Sequence, residues 1–221
     1  MPHHHDDFQT EPVRGLPEAL PKDEHILWQG APNWWALTTE ALSLWWVVGY
    51  FFALFVWRTV GGAATETWVS SATAASFFLV LGGIVCALLI AVGFIQAKAT
   101  VYTITNKRVA MRIGAALTLT LNVPFRQIEN ATLARRKNGT GTIALSLMGG
   151  NRPLSYVMTW PHVRPWRMRQ VEPALRCIPD AARVAAILAD AAEKAVATPV
   201  IERVTPMPGA GVHTPIPVAA E

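Results

Sequence analysis

The sequence predicts a membrane protein of the α+β class: two transmembrane helices, then a small antiparallel β-domain closed by a C-terminal helix. Three observations predict it. Two long tracts carry no charged side chain. From Lys98 to about Pro179 apolar and polar residues alternate with the period of a half-buried strand. From Asp180 the apolar residues recur at helical spacing. Composition agrees: 52% of residues are hydrophobic and 15% charged, whereas an average soluble domain carries about 25% charged residues.

Residues 1–24 are acidic and proline-containing, with too little apolar surface to fold alone, and are expected to be a flexible segment. Residues 25–36, "HILWQGAPNWWA", are aromatic. Trp34 and Trp35 precede the first tract, and tryptophan favours the membrane interface because its ring is apolar and its N–H polar. Ile26 to Gln29 could instead form a strand that returns to the β-domain.

The first span is placed at 37–60, around the 17 uncharged residues Ala41 to Trp57. The second is placed at 72–97, inside the 31 uncharged residues Thr67 to Ala97. A bilayer core requires roughly 20 apolar residues as helix. The connecting loop, 61–71, has no Lys or Arg, whereas Lys98, Lys107, Arg108 and Arg112 follow the second span. Positive residues stay inside, so both termini are expected in the cytoplasm of a bacterial inner membrane, with the loop in the periplasm. Arg58 dissents and would snorkel to the outer interface. Lys98 and the two tryptophans would mark the inner one. Gly82, Gly83 and Gly93 are small enough to let another transmembrane helix approach.

Within 98–197, "VYTIT" and "RVAMRI" flank the "NK" turn. "ALTLTLNVPF", "IENATLARRK", "TIALSLM" and "PLSYVMTW" read as further strands separated by "NGTG" and "GGN" turns. The helix 180–197 presents Val184, Ile187, Leu188 and Ala191 as one stripe, with Asp180 as its N-cap. The tail 198–221 contains five prolines and is expected to be disordered. A small, partly open antiparallel barrel plugged at one end by a C-terminal helix is the pleckstrin-homology (PH) architecture, and "YTITNKRVAMR" resembles the opening hairpin of bacterial PH-like membrane proteins.

Chemistry is scarce. Between Lys98 and Arg183 there are 14 Lys plus Arg and only three acidic residues, Glu129, Glu172 and Asp180. No carboxylate pair, zinc spacing or phosphate loop emerges, and Cys177 and His162 are isolated. No catalytic residue, metal or cofactor is expected. The net charge of +11 in this region suits an anionic lipid surface; a nucleic-acid partner is not expected of a domain tethered to lipid. The densest constellation is "TWPHVRPWRMR". Trp160, His162, Arg164, Trp166 and Arg167 are the candidate partner surface, because Trp and Arg dominate protein–protein hot spots and the interleaved prolines stiffen the segment.

Two long stretches, "PVRGLPEALPKDEHILWQGAPNWWAL" and "WPHVRPWRMRQVEPALRCIPDAARVAAIL", resemble the PuhB family of photosynthetic complex assembly proteins of purple bacteria. The resemblance runs from about Glu11 to Ala192. It implies a non-catalytic membrane factor with a PH-like domain that assists assembly of the reaction centre and core light-harvesting complex. Its partners would be reaction-centre subunits and core antenna polypeptides. The family is sometimes drawn with three spans; this sequence offers two. The alternatives are a PH-like lipid-binding module without a fixed protein partner, or a bacteriochlorophyll delivery factor. A homo-oligomer is compatible with either role.

Overall fold

A computed structural model of the chain describes residues 13–114, 117–149 and 154–197. The proline-rich tail and the first half of the acidic N-terminal segment lie outside these residues. Strand β1 (Ile26–Gly30) and a short helix α1 (Trp34–Glu40) precede two long antiparallel helices, α2 (Leu44–Gly62) and α3 (Trp68–Ala99). Strands β2 (Val101–Thr105), β3 (Arg108–Ile113) and β4 (Leu119–Pro124) follow, then a 3-10 turn at Phe125–Gln127. Next come β5 (Ile128–Arg135), β6 (Thr140–Leu147), helix α4 (Tyr156–Thr159), β7 (Ala174–Pro179) and helix α5 (Ala181–Ala197).

Helices α2 and α3 are long and apolar enough to cross a membrane. At 1.5 Å per residue, α2 is about 28 Å long, close to a hydrocarbon core of roughly 30 Å. Their surfaces carry exposed Trp46, Tyr50, Phe52, Trp57, Phe77, Val80 and Leu88. In water, that much exposed apolar surface would aggregate. The two helices meet through small residues: a Cβ on Gly82 would strike Phe51 of α2, and one on Gly62 would strike Ser71 of α3.

The boundaries differ from those predicted. The first membrane-length helix begins at Leu44 rather than residue 37, because the chain turns at Ser43, which adopts a left-handed φ of 55°. Trp34 to Glu40 are therefore a separate helix, capped by Asn33, whose side-chain oxygen accepts from the Ala36 N–H at 3.0 Å. The loop between the spans shrinks to the stretch between Gly62 and Trp68, since Thr67 caps α3.

The β-domain is two antiparallel sheets, ordered β1-β2-β3-β4 and β5-β6-β7. The expected partly open barrel is more open still: among the described residues, no strand ladder joins one sheet to the other. Pro124 ends β4, and the 3-10 turn redirects the chain before β5. The opening is covered by α5, whose Val184, Leu188 and Ala191 pack with Ile104, Met111, Phe125, Ile143 and Leu175 in one core. Asp180 stands at the helix start with φ of 49°, its carbonyl accepting from the Val184 N–H.

Three local expectations are corrected. "SYVMT" forms α4 and not a strand. The proline-interrupted stretch supplies an unforeseen strand, β7, as the third member of the second sheet. Residues 13–24, expected to be a free segment, are anchored to the β-domain at Gly15–Leu16 and at Glu24, with most residues between exposed. Leu16 is buried, Gly15 lies against Val101, and buried Glu24 accepts from Arg108 Nε and Thr105 Oγ1, both at 2.8 Å. The segment thus touches both ends of β2, at Val101 and Thr105; with β1 and β3 on either side and the core beneath, all five β2 residues are buried.

Candidate functional site

The candidate surface is built on β7 and the end of α3. His162 lies next to Thr100, the residue that ends α3, and Tyr102 of β2. The Tyr102 Oη to His162 Nδ1 distance is 2.5 Å, and His162 Nε2 to Thr100 Oγ1 is 3.1 Å. Tyr102 Oη accepts the Arg176 backbone N–H at 3.3 Å, and Thr100 Oγ1 donates to the Gln96 carbonyl at 2.7 Å. One proton arrangement satisfies all five groups. Arg176 N–H donates to Tyr102, Tyr102 donates to Nδ1, Nε2–H donates to Thr100, and Thr100 donates to Gln96. This requires a neutral imidazole. Burial, with Arg176 adding to it, drives the His162 pKa down to about 3. Burial also raises the Tyr102 pKa far above its usual range.

His162 is thus removed from the predicted partner surface: its side chain is fully buried, and both ring nitrogens are engaged. Its role is to join the last turn of α3 to the β-domain. The remaining four residues do lie on one loop at the surface. Its stem is tied by the Ala174 N–H to His162 carbonyl bond and by the Arg164 N–H to Glu172 carbonyl bond, each 2.9 Å. Inside the loop, buried Glu172 holds both arginines: Arg164 Nη1 at 3.0 Å and Arg167 Nη1 at 3.3 Å. The guanidinium groups are therefore not idle forks; they brace the loop and keep about half of their surface exposed.

Trp166 stands at the tip with φ of 65° and is 89% exposed. Trp160 is 42% exposed. Met168 of the loop and Val157 and Met158 of α4 are exposed as well. A braced loop that displays aromatic and thioether side chains can bind a hydrophobic pocket with little ordering cost. Beneath it, a cavity of about 160 Å³ is lined by Glu129, Met148, Leu154 and Arg167, among others.

The predicted interface residues form a second grouping. Trp34 meets Phe94 edge-on at 6.1 Å, Trp35 meets Trp34 at 5.6 Å, and Lys98 Nζ stands 5.4 Å from the Phe94 ring centre. Arg58 lies at the opposite end of α2, near Gly62. The three helix glycines divide. Gly82 and Gly93 are used inside the chain, against Phe51 and Thr38, so they are not free for a partner helix. A Cβ on Gly83 meets nothing within 4 Å.

Sequence reasoning missed a third grouping. Glu40, at the end of α1, pairs with Arg136 and accepts from Cys177 Sγ at 3.2 Å. Burial and the Glu40 carboxylate push the Cys177 thiol up to about 12, so it stays protonated. The only available signal was an acidic residue at the end of an apolar run. Among the described residues, no group of three His, Cys, Asp or Glu is placed to hold a metal.

The PH-like arrangement now has a counterpart among known proteins. A model of the bacterial PH domain family matches residues 55–192. The chain belongs to the bacterial PH domain family. It is 44% identical over 189 residues to a Rhodobacter capsulatus protein, a match that covers 85% of this chain and 88% of the relative. That relative is described as an uncharacterized 23.7 kDa protein in the puhA 5' region. Among solved structures, a Shewanella loihica protein with a pleckstrin-homology domain is 15% identical, covering 42% of this chain and 71% of that one. Its TM-score of 0.28 adds nothing to the family assignment.

Proposed function

We propose that this chain is a non-catalytic, membrane-anchored assembly factor for the photosynthetic reaction centre and core light-harvesting complex. The observation that carries the reading is the 44% identical relative, which is encoded beside the photosynthesis gene puhA. The PuhB-like motifs agree with it, and one of them contains the exposed Trp160–Arg167 loop. In this reading α2 and α3 span the inner membrane, the PH-like domain lies on the cytoplasmic side, and reaction-centre or antenna polypeptides dock on the loop. Anionic lipid assists at the membrane surface.

Pigment delivery is the weaker reading. Of the two candidate axial ligands, His25 sits against Asn106 at the β2–β3 turn, away from the spans, and the His162 ring nitrogens are both occupied, so that residue offers no ligand to magnesium without dismantling the network that joins α3 to the domain. Deletion of the gene tests the proposal. Reaction centre and core antenna should fall while bacteriochlorophyll synthesis continues. Arrested pigment synthesis with accumulating precursors would instead point to an enzymatic role.

A further inference from the structure

The turn between β5 and β6 reads Arg136, Lys137, Asn138, Gly139, with Arg135 just before it. It is held firmly. Arg136 N–H donates to the Thr140 carbonyl at 2.9 Å, and Asn138 Oδ1 accepts from both the N–H and the hydroxyl of Thr140. Gly139 supplies the φ of 79° that the turn needs. The Arg136–Glu40 ion pair fastens the turn to α1. As a result, three cations are brought to the first turn of α2.

Arg135, Arg136 and Lys137 share a shallow cleft of about 730 Å³ with Glu40, Ser43, Trp45 and Trp46, so the cleft holds three cations and one carboxylate. Arg136 is committed to Glu40. Arg135 and Lys137 are exposed and make no ion pair among the described residues. The same two tryptophans line a second, apolar groove that runs along α2 with Gly49 and Tyr50. A Cβ on Gly49 meets nothing within 4 Å, so the groove floor is open. A cationic cleft therefore leads directly into an apolar groove on a membrane-crossing helix, and the two share Trp45 and Trp46.

We infer that this junction is a binding site for one anionic phospholipid, its phosphate held by Arg135 and Lys137 and one acyl chain lying along Trp46, Gly49 and Tyr50. The charge of the cleft selects an anionic headgroup, and each cation near such a surface is worth about 1 kcal/mol. The amphipathic tryptophan ring suits the boundary between headgroup and chain. Bound there, the lipid would bridge the second sheet to α2 and fix the angle of the β-domain over the membrane. The inference rests on the reading that α2 and α3 cross a membrane, but not on the assembly role.

The test uses the full-length protein in detergent, titrated with phosphatidylglycerol or phosphatidylcholine and read by native mass spectrometry. The wild type should retain one phosphatidylglycerol in preference to phosphatidylcholine. R135Q/K137Q should weaken retention by about thirtyfold, whereas R135K/K137R should keep it. K107Q/K194Q, which removes equal charge from the far end of the domain, should leave it unchanged. Gly49→Phe, which fills the groove, should weaken retention of the long-chain lipid more than that of a short-chain phosphatidylglycerol. No anionic preference in the wild type would overturn the site whatever the variants do. Equal losses in R135Q/K137Q and K107Q/K194Q would overturn it in favour of diffuse charge. Release of the chain from membranes by alkaline carbonate would show that the membrane reading itself had failed, an outcome separate from loss of lipid selectivity.

Discussion

The Tyr102–His162–Thr100 network makes a quantitative claim about stability. Tyr102→Phe preserves the ring and removes one hydroxyl. It leaves His162 Nδ1 and the Arg176 backbone N–H without partners in a dry interior. A buried polar group left unsatisfied costs about 1–3 kcal/mol, so with two such groups the variant should lose about 2–6 kcal/mol. The same network predicts a pH dependence. Folded His162 stays neutral down to about pH 3, whereas an unfolded imidazole takes up a proton near pH 6.5. Below pH 6.5 the unfolded state therefore binds the extra proton, and stability falls as pH falls. At about 1.4 kcal/mol per pH unit, the loss between pH 7.5 and pH 5.0 from this residue is about 2 kcal/mol. Urea unfolding of the full-length protein in detergent, followed by near-ultraviolet circular dichroism at both pH values, measures it. Carboxylates that titrate in the same range act in every variant, so the difference between wild type and His162→Gln isolates the imidazole. His162→Gln should be less stable at pH 7.5 and should lose about 2 kcal/mol less on acidification. Identical pH slopes in the two proteins, or a Tyr102→Phe variant within 0.5 kcal/mol of wild type, would refute the network as described.

Three further outcomes follow from the geometry. Gly82→Val drives a side chain into Phe51 and should destabilise the α2–α3 pair by about 1–3 kcal/mol, whereas Gly83→Val, facing open space, should change it far less; melting of the two variants in detergent decides. A reporter active only in the cytoplasm should work when fused after Glu221 and fail when inserted at Ala64, and the reverse pattern would invert the proposed topology. Trp166→Ala should leave thermal stability unchanged, because the side chain is 89% exposed, yet weaken capture of a docked partner by roughly thirtyfold, the scale of a hot-spot anchor.

The two apolar tracts, the "NK" hairpin and the α5 stripe were legible because each is a local periodic signal that tertiary context reinforces. The start of the first span was not, because nothing in "TTEALSLWW" announces a left-handed turn at Ser43. Strand β7 was hidden by the prolines on either side of it. Pro173 and Pro179 read as breakers, but they stand at the strand's ends, where a missing N–H costs no ladder bond. "SYVMT" alternates like a strand and became a helical turn. The acidic segment at 13–24 looked solvated by composition, yet one carboxylate, Glu24, finds a buried arginine-and-threonine site that only the fold creates. In the candidate loop, the tryptophans and arginines were rightly placed at a surface. His162 was misplaced with them, since its neighbours in sequence are exposed while its neighbours in space belong to β2 and the end of α3.

The most direct measurement of the assembly role is capture of the tagged full-length chain from a purple bacterium while photosynthetic membranes are being formed. Solubilised in mild detergent, the chain should bring down reaction-centre subunits or core antenna polypeptides. The yield should fall as the mature complexes replace their intermediates, and Trp166→Ala should reduce it at equal abundance. Capture no greater than that by an unrelated tagged membrane protein of the same abundance, at every stage of induction, would contradict the account.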